Sequence, residues 1–388
     1  MTRNKSVLIF AHTSHLAHVG GPLGYLNNLR NQLKKHNITN VHFIEDGAYR
    51  APKPKKLKKI REVLYPFKRA YIFHKMLSHG ERSEVIENCK DDFIHFHYTG
   101  DMYKYRSSLA KYNGKIILTS HSPVITSKEI ISSLSKFERI IFRRLYSRLI
   151  EMDIFAFEHA DYIIFPCEYA EEPYLHSWKG YKEFKSKNKS KFKYLLTGIE
   201  QAKPKNSSQY IKRKYKIPKN GFLISYVGRH NEIKGYDNLK KIGKSLINKN
   251  DKNYFLIAGK EEPLKGLSSK NWIEIGWTND PYSLIKASDV FVLPNRETYF
   301  DLIFLEMLSL GKTIVATRTG GNKYFERFKN SGIYLYDTNE ECEAILNKLS
   351  QRSIEEVKHD EEANLRIYNK YFTSETFMKN YVKLIESL

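Results

Sequence analysis

The chain has 388 residues, with 65 Lys and Arg against 43 Asp and Glu and a formal net charge of +22. That length suits two domains, each burying its own core, and no stretch reaches the roughly 18 consecutive apolar residues of a membrane-spanning helix. Three cysteines, Cys89, Cys167 and Cys342, are widely spaced and odd in number, which points away from a disulfide scaffold or a metal cluster and toward a reducing cytosol.

The first apolar run, SVLIFA at 6–11, reads as a strand, with too few consecutive apolar residues for a signal peptide. GGPLGYLNNL at 20–29 follows, and Gly20, Gly21 and Gly24 would let a loop approach a ligand closely. Strand-like runs near 41–45, 93–97, 115–119 and 162–166, with helical segments between them, make residues 1–200 an α/β domain. Residues 201–220 are rich in Lys, Pro, Ser and Asn and read as a linker. A second α/β domain runs from Gly221 to about 370. The final segment, SETFMKNYVKLIESL, is an amphipathic helix with Ser374 as its expected N-cap.

Charge is concentrated between Ala51 and Gly80, where nine cations, Lys53, Lys55, Lys56, Lys58, Lys59, Arg61, Lys68, Arg69 and Lys75, face the single acid Glu62. Leu57, Ile60, Leu64, Phe67, Tyr71, Ile72 and Phe73 interleave them at near-helical spacing. Such a segment suits an anionic membrane surface, each cation near lipid contributing about 1 kcal/mol. A solvated helix is the plainer reading. Nucleic acid would also attract the charge, but no recognition motif accompanies it. A second basic run covers Lys179–Lys193.

Two motifs in the C-terminal half carry chemistry. FLISYV at 222–227 is strand-like and breaks at Gly228; Arg229 and Lys234 follow before Gly235 and a helical segment from Tyr236. Two cations between a strand end and a helix start suit a departing diphosphate, whose growing negative charge needs fixed donors. DVFVLP at 289–294 reads as a buried strand, the spacing from Leu302 to Leu310 as a helix ended by Gly311, and TIVAT at 313–317 as the next strand. Ligands in open α/β sheets bind beyond the carboxyl ends of the strands, so the loop 295–301 and Glu306 belong at a ligand site. The helix start offers unpaired N–H groups to a phosphate, and a carboxylate one turn in can reach a ribose diol.

In this order and spacing the motifs, together with KIILTSHS around His121, TGIE at 197–200, LIAGK at 256–260 and the stretch 272–295, resemble the retaining GT-B glycosyltransferases, family 4. The resemblance runs over nearly the whole chain. It implies an α/β GT-B fold, two Rossmann-like domains facing across a cleft, the N-terminal one for the acceptor and the C-terminal one for the nucleotide-sugar, with a final helix returning to the N-terminal domain. It implies a hexosyltransferase with a UDP- or GDP-linked donor, retention of configuration, no metal or other cofactor, and a glycan or lipid-linked acceptor in cell-surface polysaccharide or glycolipid synthesis. The cation-rich segment would then hold the enzyme on the inner face of the cell membrane through Lys55, Lys56, Lys58, Lys59, Arg61, Lys68 and Arg69. The alternatives are a cytosolic transferase acting on a protein or small molecule, and an inactive transferase-like partner.

The resemblance assigns catalysis to His121, Arg229, Lys234 and Glu297. Donor binding falls to Gly21, Gly228, Arg229, Lys234, Thr298, Phe300, Asp301, Leu302 and Glu306, and the acceptor-side loop to Gly20, Gly21 and Gly24. One departure matters. The family spaces two glutamates by seven residues, but counting back from Glu306 reaches Thr298; Glu297 lies one residue earlier. Either the loop absorbs an extra residue and Glu297 faces the sugar, or Thr298 does. Asp301 also stands where the family usually has Gly.

Overall fold

The structure is a computed structural model that describes residues 4–10, 21–44, 58–122 and 124–388, without the side chains of residues 58–63. The chain divides into two units. The first takes in the chain up to Phe165 with Pro173–Leu195 and Met378–Leu388, and the second takes in Pro166–Glu172 and Leu196–Phe377.

In the first unit, β1 (Val7–Phe10), β2 (Val41–Phe43), β3 (Phe93–Phe96), β4 (Lys115–Leu118), β5 (Tyr162–Phe165) and β6 (Phe192–Tyr194) form a parallel sheet in the order β2-β1-β3-β4-β5-β6. The central runs VLIF and FIHF are buried along their whole length, as strands covered on both faces must be. The strand β6 begins in the last residues of the basic run and ends just beyond it, and its three residues, FKY, carry too little pattern to announce it.

In the second unit, β7 (Phe222–Val227), β8 (Asn253–Ala258), β9 (Trp272–Gly276), β10 (Val290–Leu293), β11 (Thr313–Thr317) and β12 (Ile333–Tyr336) form a second parallel sheet, β12-β11-β10-β7-β8-β9. Its core gathers Ile224, Tyr226, Tyr236, Phe255, Trp272 and Val292. The chain builds outward from β7 to β9, then returns to lay β10 on the other side of β7, with Val290 opposite Ile224. That reversal makes the carboxyl ends of β7 and β10 the switch point of the sheet, where connections leave in opposite directions and a crevice opens.

Several local expectations change. Within 201–220, Ser208–Lys214 is a helix capped by the Ser207 side chain, and its Ile211 shares a core cluster with Leu284, so the composition of this stretch hides an ordered element. Gly21 and Gly24 lie in the helix Gly21–Lys35 rather than in a glycine loop. Among the described residues a side chain at Gly21 would meet nothing within 4 Å. Gly20, Lys55 and Lys56 lie outside the described residues, as do the side chains of Lys58, Lys59 and Arg61. The last helix spans Ser374–Ser387, and its cap is Thr373, whose hydroxyl accepts from the Thr376 N–H at 3.1 Å; the Ser374 hydroxyl donates to Glu200 at 2.6 Å. Among the described residues no helix is long and apolar enough to cross a membrane.

Candidate active site

The sequence 228–235 follows β7 and the sequence 294–301 follows β10, so the topology brings the two motifs together at the switch point. The loops are fastened to each other. Gly235 has φ +63°, and a Cβ there would lie 1.7 Å from the Pro294 carbonyl oxygen, so only glycine lets the two backbones meet. The Arg296 N–H donates to the Ile233 carbonyl at 2.9 Å, and its guanidinium pairs with Asp237.

The same loop is held from its other side by the Gly-Gly turn. A Cβ on Gly320 would meet the Thr298 carbonyl at 1.9 Å, and one on Gly321 the Tyr299 carbonyl at 2.1 Å. The turn glycines therefore act by fixing the backbone of 298–299. Thr298 is buried and Glu297 half-buried. Phe300, assigned to the donor, packs its ring against Phe325 at 5.5 Å, where Phe325 also stacks on Phe304 at 3.9 Å. Its side chain serves the core.

Lys234 reaches Asp301 at 2.6 Å, and the buried Asn295 amide donates to the same carboxylate oxygen at 2.6 Å. Burial alone would raise the Asp301 carboxyl; the Lys234 ammonium and the hydrogen bonds from Lys234 and Asn295 hold it below the ordinary range. Asp301 is the N-cap residue of the helix Leu302–Ser309, yet its side chain makes no capping bond, because Lys234 and Asn295 engage it. The helix start thus has no side-chain cap and lies beside Lys234, an arrangement that suits an anion. Arg229 stands exposed at the edge of the same loop, its carbonyl accepting from the Tyr226 hydroxyl at 2.9 Å. Gly228 lies against the Tyr226 ring, where a Cβ would come within 2.7 Å of the hydroxyl.

Glu306 is on the same helix, and burial pushes its carboxyl up to about 7, opposed by a hydrogen bond donated by the Tyr282 hydroxyl at 3.1 Å. Tyr282 comes from the helix Pro281–Ala287 and carries no sequence signal of its own. The carboxyl is poised to accept or donate to a hydroxyl pair. Next to Arg229, His230 is buried and stacked on Tyr236 at 3.9 Å, and burial pushes its imidazole down to about 4, so it is neutral at pH 7.

In the first unit, His121 lies three residues beyond β4 and belongs to a cluster. Its Nε2 shares a proton with His97 Nδ1 at 3.0 Å, and the two rings stack at 5.2 Å. His95 bridges the Tyr381 hydroxyl at 2.9 Å and the Thr119 hydroxyl at 2.8 Å. Burial pushes His95 and His121 down to about 3, and His97 well below its usual value. The period-2 pattern in FIHFH, with both histidines on one face of the β3 end, is the signal that could have found the pair.

Residues 221–351 match the family described as Glycosyl transferases group 1. The matched residues lie in the second unit and take in β7 to β12 and both loops of the switch point. The UDP-Gal:alpha-D-GlcNAc-diphosphoundecaprenol alpha-1,3-galactosyltransferase of Escherichia coli is 28% identical over 144 residues, covering 34% of this chain and 37% of that protein, so the chain matches well under half of that relative's length. Among solved structures, HepE of Anabaena in complex with UDP and glucose superposes with a TM-score of 0.60 at 12% identity, covering 99% of this chain and 100% of the other. Sucrose-phosphate synthase of Thermosynechococcus elongatus superposes with a TM-score of 0.65 at 14% identity, covering 99% and 98%. The fold of the whole chain is GT-B.

Proposed function

We propose that the protein is a retaining, family 4 glycosyltransferase that moves a sugar from a UDP- or GDP-linked donor to a lipid-linked saccharide, without a metal ion and while resting on the inner face of the cell membrane. The observation that carries the reading is the meeting of the two loops at the β7/β10 switch point, which gathers Arg229, Lys234, the start of the helix Leu302–Ser309 and Glu306. The match of this domain to glycosyl transferases group 1 supports it. The lipid-linked acceptor is supported by the E. coli relative, whose name specifies a diphosphoundecaprenol-linked acceptor.

In this reading the donor diphosphate lies against the helix N-terminus, where Arg229 and Lys234 meet the charge that grows as the C–O bond to the sugar breaks. Glu306 takes the ribose hydroxyls, its carboxyl ionised or protonated to match. Glu297, on a loop whose backbone is fixed by Gly320 and Gly321, faces the sugar. The purified protein is incubated with a panel of UDP- and GDP-sugars, with and without a chelator, and nucleotide release is followed. Release from one donor, undiminished by the chelator, is the expected result. Absence of release from every donor, with the isolated lipid-linked acceptors present, counts against the enzyme and favours an inactive partner.

A further inference from the structure

Two helices of the first unit, Lys58–Ser78 and Lys136–Ile141, lie side by side. Arg69 on one forms a bidentate pair with Glu138 on the other, at 2.5 Å to each carboxylate oxygen, and the Phe67 ring meets Phe137 at 6.0 Å and Phe142 at 5.6 Å. Arg69, expected among the lipid contacts, is therefore committed to Glu138.

The polarity of this pair is inverted. In Lys136–Ile141 the buried residue is Glu138, while Ile140 is 73% and Ile141 57% exposed, with Phe137 beside them. In the longer helix Ala70 and Leu77 face the core, yet Leu64, Phe67 and Tyr71, at i, i+3 and i+7, line an outward face, and Tyr71 is 67% exposed. A helix solvated on its outer side keeps polar residues there. Contiguous apolar surface of this kind marks a contact site.

Charge chooses the occupant. Lys68, Lys136, Arg139, Arg143 and Arg144 are exposed around the apolar residues, and Glu138, the acid between them, is buried and spent on Arg69. A second copy of the chain would oppose cation to cation. An anionic lipid surface supplies both acyl chains for the apolar face and phosphates for the rim.

We propose that the outward faces of residues 64–78 and of the helix Lys136–Ile141 form one docking surface for an anionic bilayer, with Phe137, Ile140 and Ile141 entering the boundary between headgroups and acyl chains. This deepens the membrane-side reading above and rests on it. It also changes the physics expected of that contact. Attraction by lysines alone is screened as the Debye length falls to about 3 Å near 1 M salt, whereas burial of isoleucine is not.

The test is co-sedimentation of the full chain with vesicles of phosphatidylglycerol and phosphatidylcholine, and with phosphatidylcholine alone, at about 0.1 M and about 1 M salt. The parent should bind the anionic vesicles and keep a salt-resistant fraction. Ile140→Ser with Ile141→Ser should lower partitioning at high salt by about tenfold or more, as two partly buried side chains lose their apolar contact. Nucleotide release from the donor should be unchanged in the variant, which shows that it is folded and separates this proposal from the transferase reading. Equal binding by parent and variant at both salt concentrations would overturn the proposal. So would a parent that stays in the supernatant with every vesicle, or one that sediments as a dimer which the double substitution dissociates.

Discussion

Lys234 and Asp301 hold each other at 2.6 Å although 67 residues separate them, because the sheet reversal lays the loop after β10 against the loop after β7. The cation expected to meet a diphosphate is thus already paired with a carboxylate. A phosphate that engages Lys234 must share it with Asp301 or displace it.

Asp301→Asn should therefore bind UDP or GDP more tightly than the parent, by about tenfold, since one competing charge is removed and the amide still fits beside Asn295. Lys234→Ala should bind more weakly, and the gain from Asp301→Asn should shrink in that background. Calorimetric titration checks both. Weaker binding by Asp301→Asn would mean that the carboxylate aims Lys234 at the ligand.

The shifted glutamate is decided by comparing turnover in Glu297→Gln and Thr298→Ala. Thr298 is buried and its carbonyl lies against Gly320, whereas Glu297 is half-buried beside it. The glutamine variant should lose about a hundredfold in rate and the alanine variant much less. The opposite ranking would put Thr298 against the sugar.

Glu306 ties stability to pH. Its folded carboxyl titrates at about 7, above the ordinary 4.5, so the native state binds the extra proton between those values and this group's contribution to stability falls as pH rises through that window. In the ligand-free protein, Glu306→Gln should gain stability relative to the parent on going from about pH 4.5 to pH 8, by up to about 3 kcal/mol. Urea unfolding of both proteins across the range measures it. A constant difference would mean that the carboxyl titrates normally.

The histidine cluster acts in the opposite sense. His95 and His121 titrate near 3 when folded and near 6.5 when unfolded, so acid favours the unfolded state below about 6.5. His95→Asn should flatten the loss of stability between about pH 6.5 and pH 4, as read by urea unfolding, provided the amide replaces the bonds to Tyr381 and Thr119. An unchanged slope would remove His95 from the acid response.

The strands were legible wherever a parallel sheet demands a continuous apolar run: FLISYV, DVFVLP and TIVAT mark their places closely. Glycines were legible as turns, and the structure adds the reason, since Gly235 and Gly320 each face a carbonyl oxygen nearer than any Cβ allows. What stayed hidden depends on pairing across distance. Neither the Lys234–Asp301 contact nor the Tyr282 hydroxyl on Glu306 leaves a local pattern, because each partner looks like an ordinary polar residue in its own segment. In the helix Lys136–Ile141 only the burial of Glu138 beside two exposed isoleucines reveals the inversion, and burial leaves no mark in the sequence.

The most direct test of the account is nucleotide release from the cognate donor by Arg229→Ala. Arg229 is exposed and its guanidinium makes no hydrogen bond or ion pair among the described residues, so its removal leaves the fold intact. If the loops at the β7/β10 switch point hold a departing diphosphate, the variant should retain the parent's thermal unfolding and lose about a hundredfold in rate. Turnover equal to the parent's, from a folded variant, would contradict the assignment.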